Sequence, residues 1–431
     1  MRYHLLIGLL AVGLVGGLSA CDFVQDIDQP TDRVNSDSLD SQAEIGFLAT
    51  GVKEGFNDAY DNVAIISALL SDVGVFNTRV RNATFPTYGD IDRGEIQFDN
   101  NSIDNVSTPV NEYRFQADDL VRRVNETITF VDDPDLGLDA EADRTLGLYT
   151  GYFHGAVARY FLATYFSKDG VNGGAPISTD RDKPSQTIPA SELYAQALGL
   201  LAQAAPLGSD YDVRVINTLR ARIALFQGDY DQAADFAAGG LVDGDAPYSA
   251  RFTSASANEW YSQAGRGRTQ ISIAPRFAAY DEIDSRTLVE RAPNASGSDA
   301  NTYYRQALYT VPDEPLPFLT WQENSLILAE AALLGDTDAD AAVGYVNPVL
   351  ESRGIDPIAD GETLDRDLLI QTRDRELFTQ GLRLVDQRRF GLPFTYITYP
   401  QASGELVEQP LPGIYRYFPL TQTERNANPE L

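Results

Sequence analysis

The stretch RARIALFQGDYDQAADFA, residues 220–237, decides the fold class of this chain. Small and apolar residues recur at helical spacing over residues 214–226, Gly228 and Asp229 interrupt the pattern, and a second helical pattern follows over residues 230–238. Glycine adopts the positive φ that ends a helix, and alanines allow two neighbouring helices to approach closely. The stretch therefore predicts a helical hairpin whose two arms pack tightly against each other.

Helical periodicity of the same kind begins near Ser41 and returns along much of the chain. In residues 139–166 it forms one apolar stripe, made by Leu146, Thr150, Phe153, Val157 and Tyr160. Further patterns of this kind cover residues 191–205, 321–334 and 363–380. The hairpin resembles the hinge of a tetratricopeptide repeat, in which paired helices stack side by side. We therefore predict a mainly α fold with tetratricopeptide-like helical repeats at about 139–240 and 318–390.

Two segments lack this periodicity and are rich in aromatic residues and turn formers. They cover about 76–113 and 241–316, and we interpret them as a loop-rich ligand-binding face. Aromatic planes pack against the C–H faces of sugar rings, and loops present side chains to solvent. The candidate ligand-binding residues are therefore the aromatic residues of these segments: Trp260, Tyr261, Tyr303, Tyr304, Phe76 and Tyr88. For any single aromatic residue, packing in the core is the commoner role.

The N-terminus has the pattern of an export signal. A basic residue, Arg2, precedes an apolar run over residues 5–18, which is shorter than the roughly 20 residues that span a bilayer. The run ends in Leu18-Ser19-Ala20-Cys21, which resembles a bacterial lipobox. We expect residues 1–20 to be a lipoprotein signal peptide and Cys21, the single cysteine, to be the lipidation site. Residues 21–40 are polar and acidic, which predicts a flexible tether, and residues 41–431 would form one domain.

Composition argues against several classes of function. The net charge is −30, which argues against nucleic acid as a partner because phosphate binding requires clustered Lys and Arg. Beyond the signal peptide the chain has one histidine, His154, and no cysteine except Cys21, so zinc sites of the usual type are not predicted. We expect no cofactor, no metal and no catalytic residues. Lysine is scarce on this acidic chain, which suits high salt because screening reduces repulsion between carboxylates, so a halophilic origin is a hypothesis.

The C-terminal third resembles the signature of SusD/RagB-like outer-membrane nutrient-binding lipoproteins. Three stretches carry the resemblance: FLTWQENSLILAEAALLGD, NPVLESRGI and LLIQTRDRELFTQGLRLVDQRRFG. The matching positions are Glu323, Leu326, Ala329-Glu330-Ala331, Gly335-Asp336, Arg353-Gly354, residues 373–377, Gly381, Arg383, Asp386 and Arg388-Arg389. GGAPIS at residues 173–178 and the closing YFPLTQTERNANPEL also match the family pattern. Thr320 and Gln371-Thr372 depart from it, so the ligand is not carried over from the family.

The resemblance implies a SusD-like fold, a tetratricopeptide-like helical face that supports a loop-rich ligand face. It further implies a non-catalytic surface lipoprotein of the cell outer membrane that faces the extracellular side. Such a protein captures an oligosaccharide or peptide nutrient and delivers it to a SusC-like TonB-dependent transporter. The lipid on Cys21 would attach it to the membrane.

Two alternatives from other classes stay open at this point. A glycosidase on a helical scaffold would use two carboxylates about 5 to 9.5 Å apart. A tetratricopeptide-type adaptor would bind peptides in a concave groove. The run Arg373-Asp374-Arg375-Glu376 and the cluster Asp386, Arg388 and Arg389 could suggest an active site. Their helical spacings instead predict structural ion pairs at i,i+3 and i,i+4.

Overall fold

The computed structural model describes residues 39–77, 87–178, 183–281, 284–292, 303–335, 339–359, 361–398 and 407–431. The predicted signal peptide, Cys21 and all but the last two residues of the predicted tether lie outside these ranges. The α-helices, in chain order, are α1 (Ile45–Leu70), α2 (Tyr88–Asp92), α3 (Asn101–Arg122), α4 (Ala140–Tyr165), α5 (Ala190–Ala204), α6 (Asp210–Phe226), α7 (Tyr230–Ala237), α8 (Glu259–Ala264), α9 (Pro275–Asp281), α10 (Trp321–Leu334), α11 (Ala339–Ser352), α12 (Arg366–Glu376), α13 (Arg383–Phe390) and α14 (Gln422–Ala427).

The strands are short and lie between the helices. They are β1 (Gly74–Phe76), β2 (Phe166–Ser167), β3 (Gly174–Pro176), β4 (Thr187–Pro189), β5 (Tyr248–Ala250), β6 (Ile271–Ile273), β7 (Val289–Arg291), β8 (Tyr304–Gln306), β9 (Leu316–Leu319), β10 (Thr395–Thr398), β11 (Val407–Pro410) and β12 (Phe418–Pro419). One sheet has four strands in the antiparallel order β1-β6-β8-β7, and the other sheets are pairs. The mainly α prediction is therefore confirmed.

The hairpin of residues 220–237 forms as the sequence predicts. The side chain of Asp229 accepts a hydrogen bond from the backbone N–H of Gln232 and starts α7, and Gly228 has a φ of 77°. The two arms enclose a buried cluster of small and apolar residues, to which α10 contributes Ile327; its members are Ala221, Ala224, Leu225, Ala233, Ala237 and Ile327. Because these side chains are short, α6, α7 and α10 pack closely, which is the geometry of stacked helical repeats.

Helix α3 corrects the sequence-based prediction for one loop-rich segment. Residues 101–113 were assigned to loops, yet they form the first half of a 22-residue helix. Asn100 caps this helix by accepting hydrogen bonds from the backbone N–H groups of Ser102 and Ile103. An apolar stripe formed by Ile103, Val106, Val110, Tyr113 and Ala117 is buried against the core. The many Asn, Ser and Thr residues and Pro109 on the other faces concealed this stripe in the sequence.

The main core lies between α1, α3 and α4 and is rich in aromatic residues. His154 of α4 is part of it, and the hydroxyl of Tyr113 lies 2.7 Å from its Nδ1. Burial, and to a smaller extent the charge of Lys53, lowers the pKa of His154 to about 3, so this imidazole is neutral. His154 is thus a packed core residue, 1% exposed. Among the helices of the described residues, none is long and apolar enough to cross a membrane.

Candidate ligand-binding cleft

A polar cleft of about 410 Å³ lies where the two predicted loop-rich segments meet. Its walls come from α1, α2, the first half of α3, and α8. The residues that line it are Asp58, Asn62, Ile66, Tyr88, Ser102, Asp104, Asn105, Thr108, Pro109, Glu259 and Gln263. Most of these side chains carry amide, carboxyl or hydroxyl groups. The cleft therefore offers closely spaced hydrogen-bond donors and acceptors in a concave space.

Hydrogen bonds join α2 to the start of α3 and set one wall. The hydroxyl groups of Thr87 and Ser102 lie 2.5 Å apart, and Asn100 Nδ2 donates to the carbonyl oxygen of Thr87 over 3.2 Å. The same Asn100 side chain caps α3 through its oxygen. One asparagine thus holds Tyr88, the first residue of α2, beside the polar face of α3.

Helix α8 is fixed on α1 by a buried carboxyl group. The backbone N–H of Glu259 donates to Asp61 Oδ2 over 2.7 Å, and Asn258 caps α8 by accepting from the N–H of Trp260 over 2.8 Å. Asn258 Nδ2 in turn donates to the carbonyl oxygen of Glu314. These bonds direct Glu259 and Gln263, one helical turn apart, into the cleft.

Burial raises the pKa of three carboxyl groups in and below the cleft, those of Asp58, Glu259 and Asp61. Burial raises the pKa of Asp58, and burial together with the charge of Asp58 raises the pKa of Glu259. Burial also holds the pKa of Asp61 well above its usual range, and the charge of Glu259 adds to this effect. A neutral carboxyl group both donates and accepts hydrogen bonds, which suits an uncharged hydroxylated ligand. Within the described ranges, no group of three or more His, Cys, Asp or Glu residues is arranged to hold a metal ion.

The structure places Trp260 where it cannot meet a ligand. Trp260 lies in α8, its side chain is 0 % exposed, and its ring packs 6.0 Å from that of Phe378. The expectation that Trp260 is presented to solvent on a loop is wrong, because the helix turns its indole ring into the core. Tyr261, the next residue of α8, is half-buried and packs against the same core.

The remaining predicted aromatic residues divide between the cleft and the four-stranded sheet. Tyr88 lines the cleft, although only 5 % of it is exposed. Phe76 in β1 pairs with Ile271, and Tyr304 in β8 pairs with Ile273 and Arg291. Tyr303 precedes β8 and is buried. Phe76 and Tyr304 therefore lie in the same sheet, and neither residue lines the cleft.

The sequence-based search missed the polar residues that define the cleft. Asp58 and Asn62 are one turn apart on α1, and Asn105 and Thr108 lie on α3. On a helix such residues have the pattern of a solvent-exposed face. The sequence contains one indication of the cleft. On α1, Ile66 follows Asp58 and Asn62 at the same four-residue spacing, so the helix face that carries these polar residues also carries an apolar one.

No protein-family model matches the sequence, and no curated protein does. Solved structures do match. A SusD superfamily protein of Bacteroides thetaiotaomicron aligns with a TM-score of 0.70 and 16% identity, over 90% of this chain and 98% of that chain. The chain has the SusD fold.

Other solved structures of the SusD fold agree. A SusD-like carbohydrate-binding protein of Bacteroides fragilis gives a TM-score of 0.68 at 12% identity, over 91% of this chain and 99% of that chain. A laminarin-binding SusD-like protein gives a TM-score of 0.65 at 14% identity, over 89% of this chain and 97% of that chain. The resemblance that the C-terminal stretches indicated is confirmed at the level of the fold.

The charged signature residues of this SusD-fold chain hold its helices together. Arg373 of α12 donates to both carboxylate oxygens of Asp386 in α13, over 2.9 and 3.0 Å, and its Nη1 lies 3.6 Å from Glu330 in α10. Arg389 contacts both Asp386 and Glu330. These residues form structural ion pairs, as the sequence predicts. Most of the pairs, however, do not have the predicted i,i+3 or i,i+4 spacing. Among the ion pairs that these residues form within the described ranges, the Arg389–Asp386 pair is the local one, at i,i+3, and the others join segments that are farther apart in sequence.

Proposed function

We propose that this chain captures an oligosaccharide nutrient in the cleft between α1, α3 and α8 and releases it uncleaved. The observation that carries the proposal is the lining of the cleft by amides, hydroxyls and carboxyl groups, two of which, Asp58 and Glu259, have a pKa raised by burial. Neutral sugars are recognised by such groups, which exchange hydrogen bonds with several hydroxyls at once. Two of the solved structures with the same fold are described as binding carbohydrate or laminarin, which supports the same ligand class.

The wall residue Gln263 gives the proposal a direct test. Its Oε1 atom is buried and accepts no hydrogen bond from any described residue, so it is an unsatisfied acceptor beside the cleft. On a glycan array, Gln263→Ala should weaken binding of every glycan that the unmodified protein binds. Gln203→Ala is the matched control, because Gln203 is an exposed glutamine on α5, away from the cleft. An array without any bound glycan, or equal binding by Gln263→Ala, would contradict the proposal.

Delivery to a partner belongs to the same proposal. We infer that lipid on Cys21 anchors the protein at the outer membrane, where it passes its ligand to a SusC-like TonB-dependent transporter. The lipobox and the SusD fold support this role. Isolation of the full-length tagged protein from detergent-solubilised outer membranes should recover such a transporter in stoichiometric amount. Recovery of the lipoprotein alone would contradict this part.

A glycosidase is the second candidate, because the cleft contains two carboxyl groups whose pKa values are raised. A general acid for glycosidic cleavage requires such a group, and Glu259 and Asp58 are the two residues concerned. If the protein is an enzyme, oligosaccharides incubated with it will be shortened, and Glu259→Gln will abolish the shortening. If it only binds, the oligosaccharides will be recovered at full length.

The acidic composition suggests the conditions in which the protein works. A net charge of −30 causes repulsion between carboxylates, and salt screens this repulsion. We infer adaptation to high salt. The midpoint of thermal unfolding should rise between low and molar sodium chloride, and a constant or falling midpoint would contradict the inference.

A further inference from the structure

A second cleft lies directly beside the first and has no role in the function proposed above. It measures about 240 Å³, and two of its wall residues, Asp104 and Thr108, also line the first cleft. These residues are one turn apart on α3 and have short side chains. Asp104 and Thr108 thus form a low ridge on α3 between the two clefts. Asn105 lies on the side of the first cleft, and Asn111 and Phe115 lie on the side of the second.

Hydrogen bonds from the C-terminal helix give the second cleft a preformed wall. Thr423 Oγ1 donates to Asp104 Oδ2 over 3.1 Å, and Ser107 Oγ donates to Glu424 Oε2 over 3.2 Å. These bonds attach α14 to the polar face of α3. Beyond α14, Asn428 exchanges two hydrogen bonds with the backbone of Ser185, over 2.7 and 3.2 Å. A wall held at this many points loses little conformational freedom when a ligand binds.

The second cleft supplies a flat apolar surface, which the first cleft lacks. Phe115 is half-buried and lines it, and the guanidinium group of Arg114 lies 3.9 Å from the centre of the Phe115 ring. In the first cleft the aromatic residue is Tyr88, which is almost wholly buried. Phe115 can therefore pack against the C–H face of a sugar ring, whereas the first cleft acts through hydrogen bonds.

The polar group that lies over this aromatic ring is buried. Arg114 is 2 % exposed, and its Nη1 atom donates to Asp118 and to the carbonyl oxygen of Ser178. Its Nε atom has no hydrogen-bond partner among the described residues. Burial raises the pKa of Glu424, as it does for Asp58 and Glu259 of the first cleft. The two clefts thus share a chemistry suited to hydroxylated ligands.

We propose that the two clefts are subsites of one groove and that the ligand is an extended oligosaccharide. The chain of sugar rings crosses the ridge at Asp104 and Thr108, with rings on both sides. From Asn105 to Phe115 the helix rises roughly 15 Å, which is longer than a single ring and fits an oligomer of several rings. This inference rests on the proposed function. It adds the length of the ligand and the residues that contact its additional sugar rings.

The test is a calorimetric titration with matched short and long oligosaccharides. The probes are the two-ring and six-ring members of the malto-, laminari-, cello- and xylo-oligosaccharide series. In the series that binds, the six-ring member should bind at least about tenfold more tightly, because its second contact becomes intramolecular. Phe115→Ala and Asn111→Ala should each reduce the affinity for the six-ring member more than that for the two-ring member, whereas Gln263→Ala should weaken both. Thermal unfolding of each variant verifies that it is folded.

The possible outcomes separate this inference from the proposed function. Equal affinity for short and long members, or an unchanged length dependence in both Phe115→Ala and Asn111→Ala, overturns the shared groove and leaves glycan capture intact. Binding of no member of any series, or binding of a six-residue peptide instead, rejects both.

Discussion

Arg222 in α6 and Glu323 in α10 form an ion pair in the interior of the protein, and each side chain is 1% exposed. Arg222 Nε donates to Glu323 Oε1 over 2.6 Å, and its Nη2 atom contacts both Glu323 and the carbonyl oxygen of Phe318. The guanidinium group also lies 4.7 Å from the centre of the Phe318 ring. The pair joins the helical hairpin of residues 220–237 to α10.

Removing one partner of this pair should destabilise the fold strongly. Arg222→Met leaves Glu323 buried without its cation, so we expect the free energy of unfolding to fall by about 3–5 kcal/mol. Urea denaturation measures this change. Arg122→Met is the control, because Arg122 pairs with Asp119 at the surface, where such pairs contribute about 0–1 kcal/mol. Equal losses in the two variants would contradict the structural role of the buried pair.

Trp260 should matter for stability and not for binding. Trp260→Ala empties a volume in the core beside Phe378, and substitutions of this size cost about 3–5 kcal/mol. The affinity of the folded protein for its glycan should stay within about twofold, because the indole ring does not line either cleft. Urea denaturation and calorimetry on the same samples measure both quantities. A large loss of affinity in a Trp260→Ala sample that is fully folded would contradict this prediction and would indicate that Trp260 contacts the ligand.

Asp92 should make the protein less stable as the pH rises. Burial raises the pKa of Asp92 to about 7, although it accepts a hydrogen bond from the N–H of Phe76 and lies near Arg93. In the unfolded chain the pKa is about 3.9, so the folded state binds the proton more tightly. This contribution to stability is complete below about pH 4 and is lost as the pH rises through about 7.

The variant Asp92→Asn isolates this effect. The amide keeps an acceptor for Phe76 and does not ionise, so the variant should gain stability relative to the unmodified protein between pH 4 and 8. The gain is on the order of 4 kcal/mol, since the pKa shift of about three units corresponds to about 1.4 kcal/mol per unit. Urea denaturation at several pH values measures it. If the free energy of unfolding changes with pH in the same way in both proteins, the pKa of Asp92 is not raised by folding and the prediction is wrong.

Cys21 should determine where the protein resides. With the signal peptide and Cys21 intact, cells should place the full-length chain in the membrane fraction, and mass spectrometry should find acyl chains on its N-terminal residue. Cys21→Ala removes the only thiol that the lipid can modify, so the protein should appear in the soluble fraction. Membrane retention of the variant would point to another anchor.

The parts of the fold that the sequence predicts well are those specified by local signals. Gly228 and the alanines around it determine the hairpin because a positive φ and short side chains act within a few residues. Helix α3 was not predicted, since its buried stripe includes few large aliphatic residues and its polar faces resemble a loop. Its true start depends on the cap at Asn100.

The ligand site was harder to predict because it depends on tertiary contacts. Trp260 is one residue from Glu259, yet the helix turns the tryptophan inward and the glutamate into the cleft. The bond from the N–H of Glu259 to Asp61, 198 residues away in sequence, helps to determine which side of α8 faces α1. Composition points to two of the segments that line the candidate cleft, and tertiary packing determines which of their residues face it.

The measurement that tests the central claim most directly is calorimetric titration of the purified protein with the six-ring oligosaccharides, followed by mass spectrometry of the recovered sugar. We predict saturable binding of at least one series, a weaker affinity in Gln263→Ala but not in Gln203→Ala, and recovery of the sugar at its full length. Shortened sugars, or no binding to any of the series, would contradict the account.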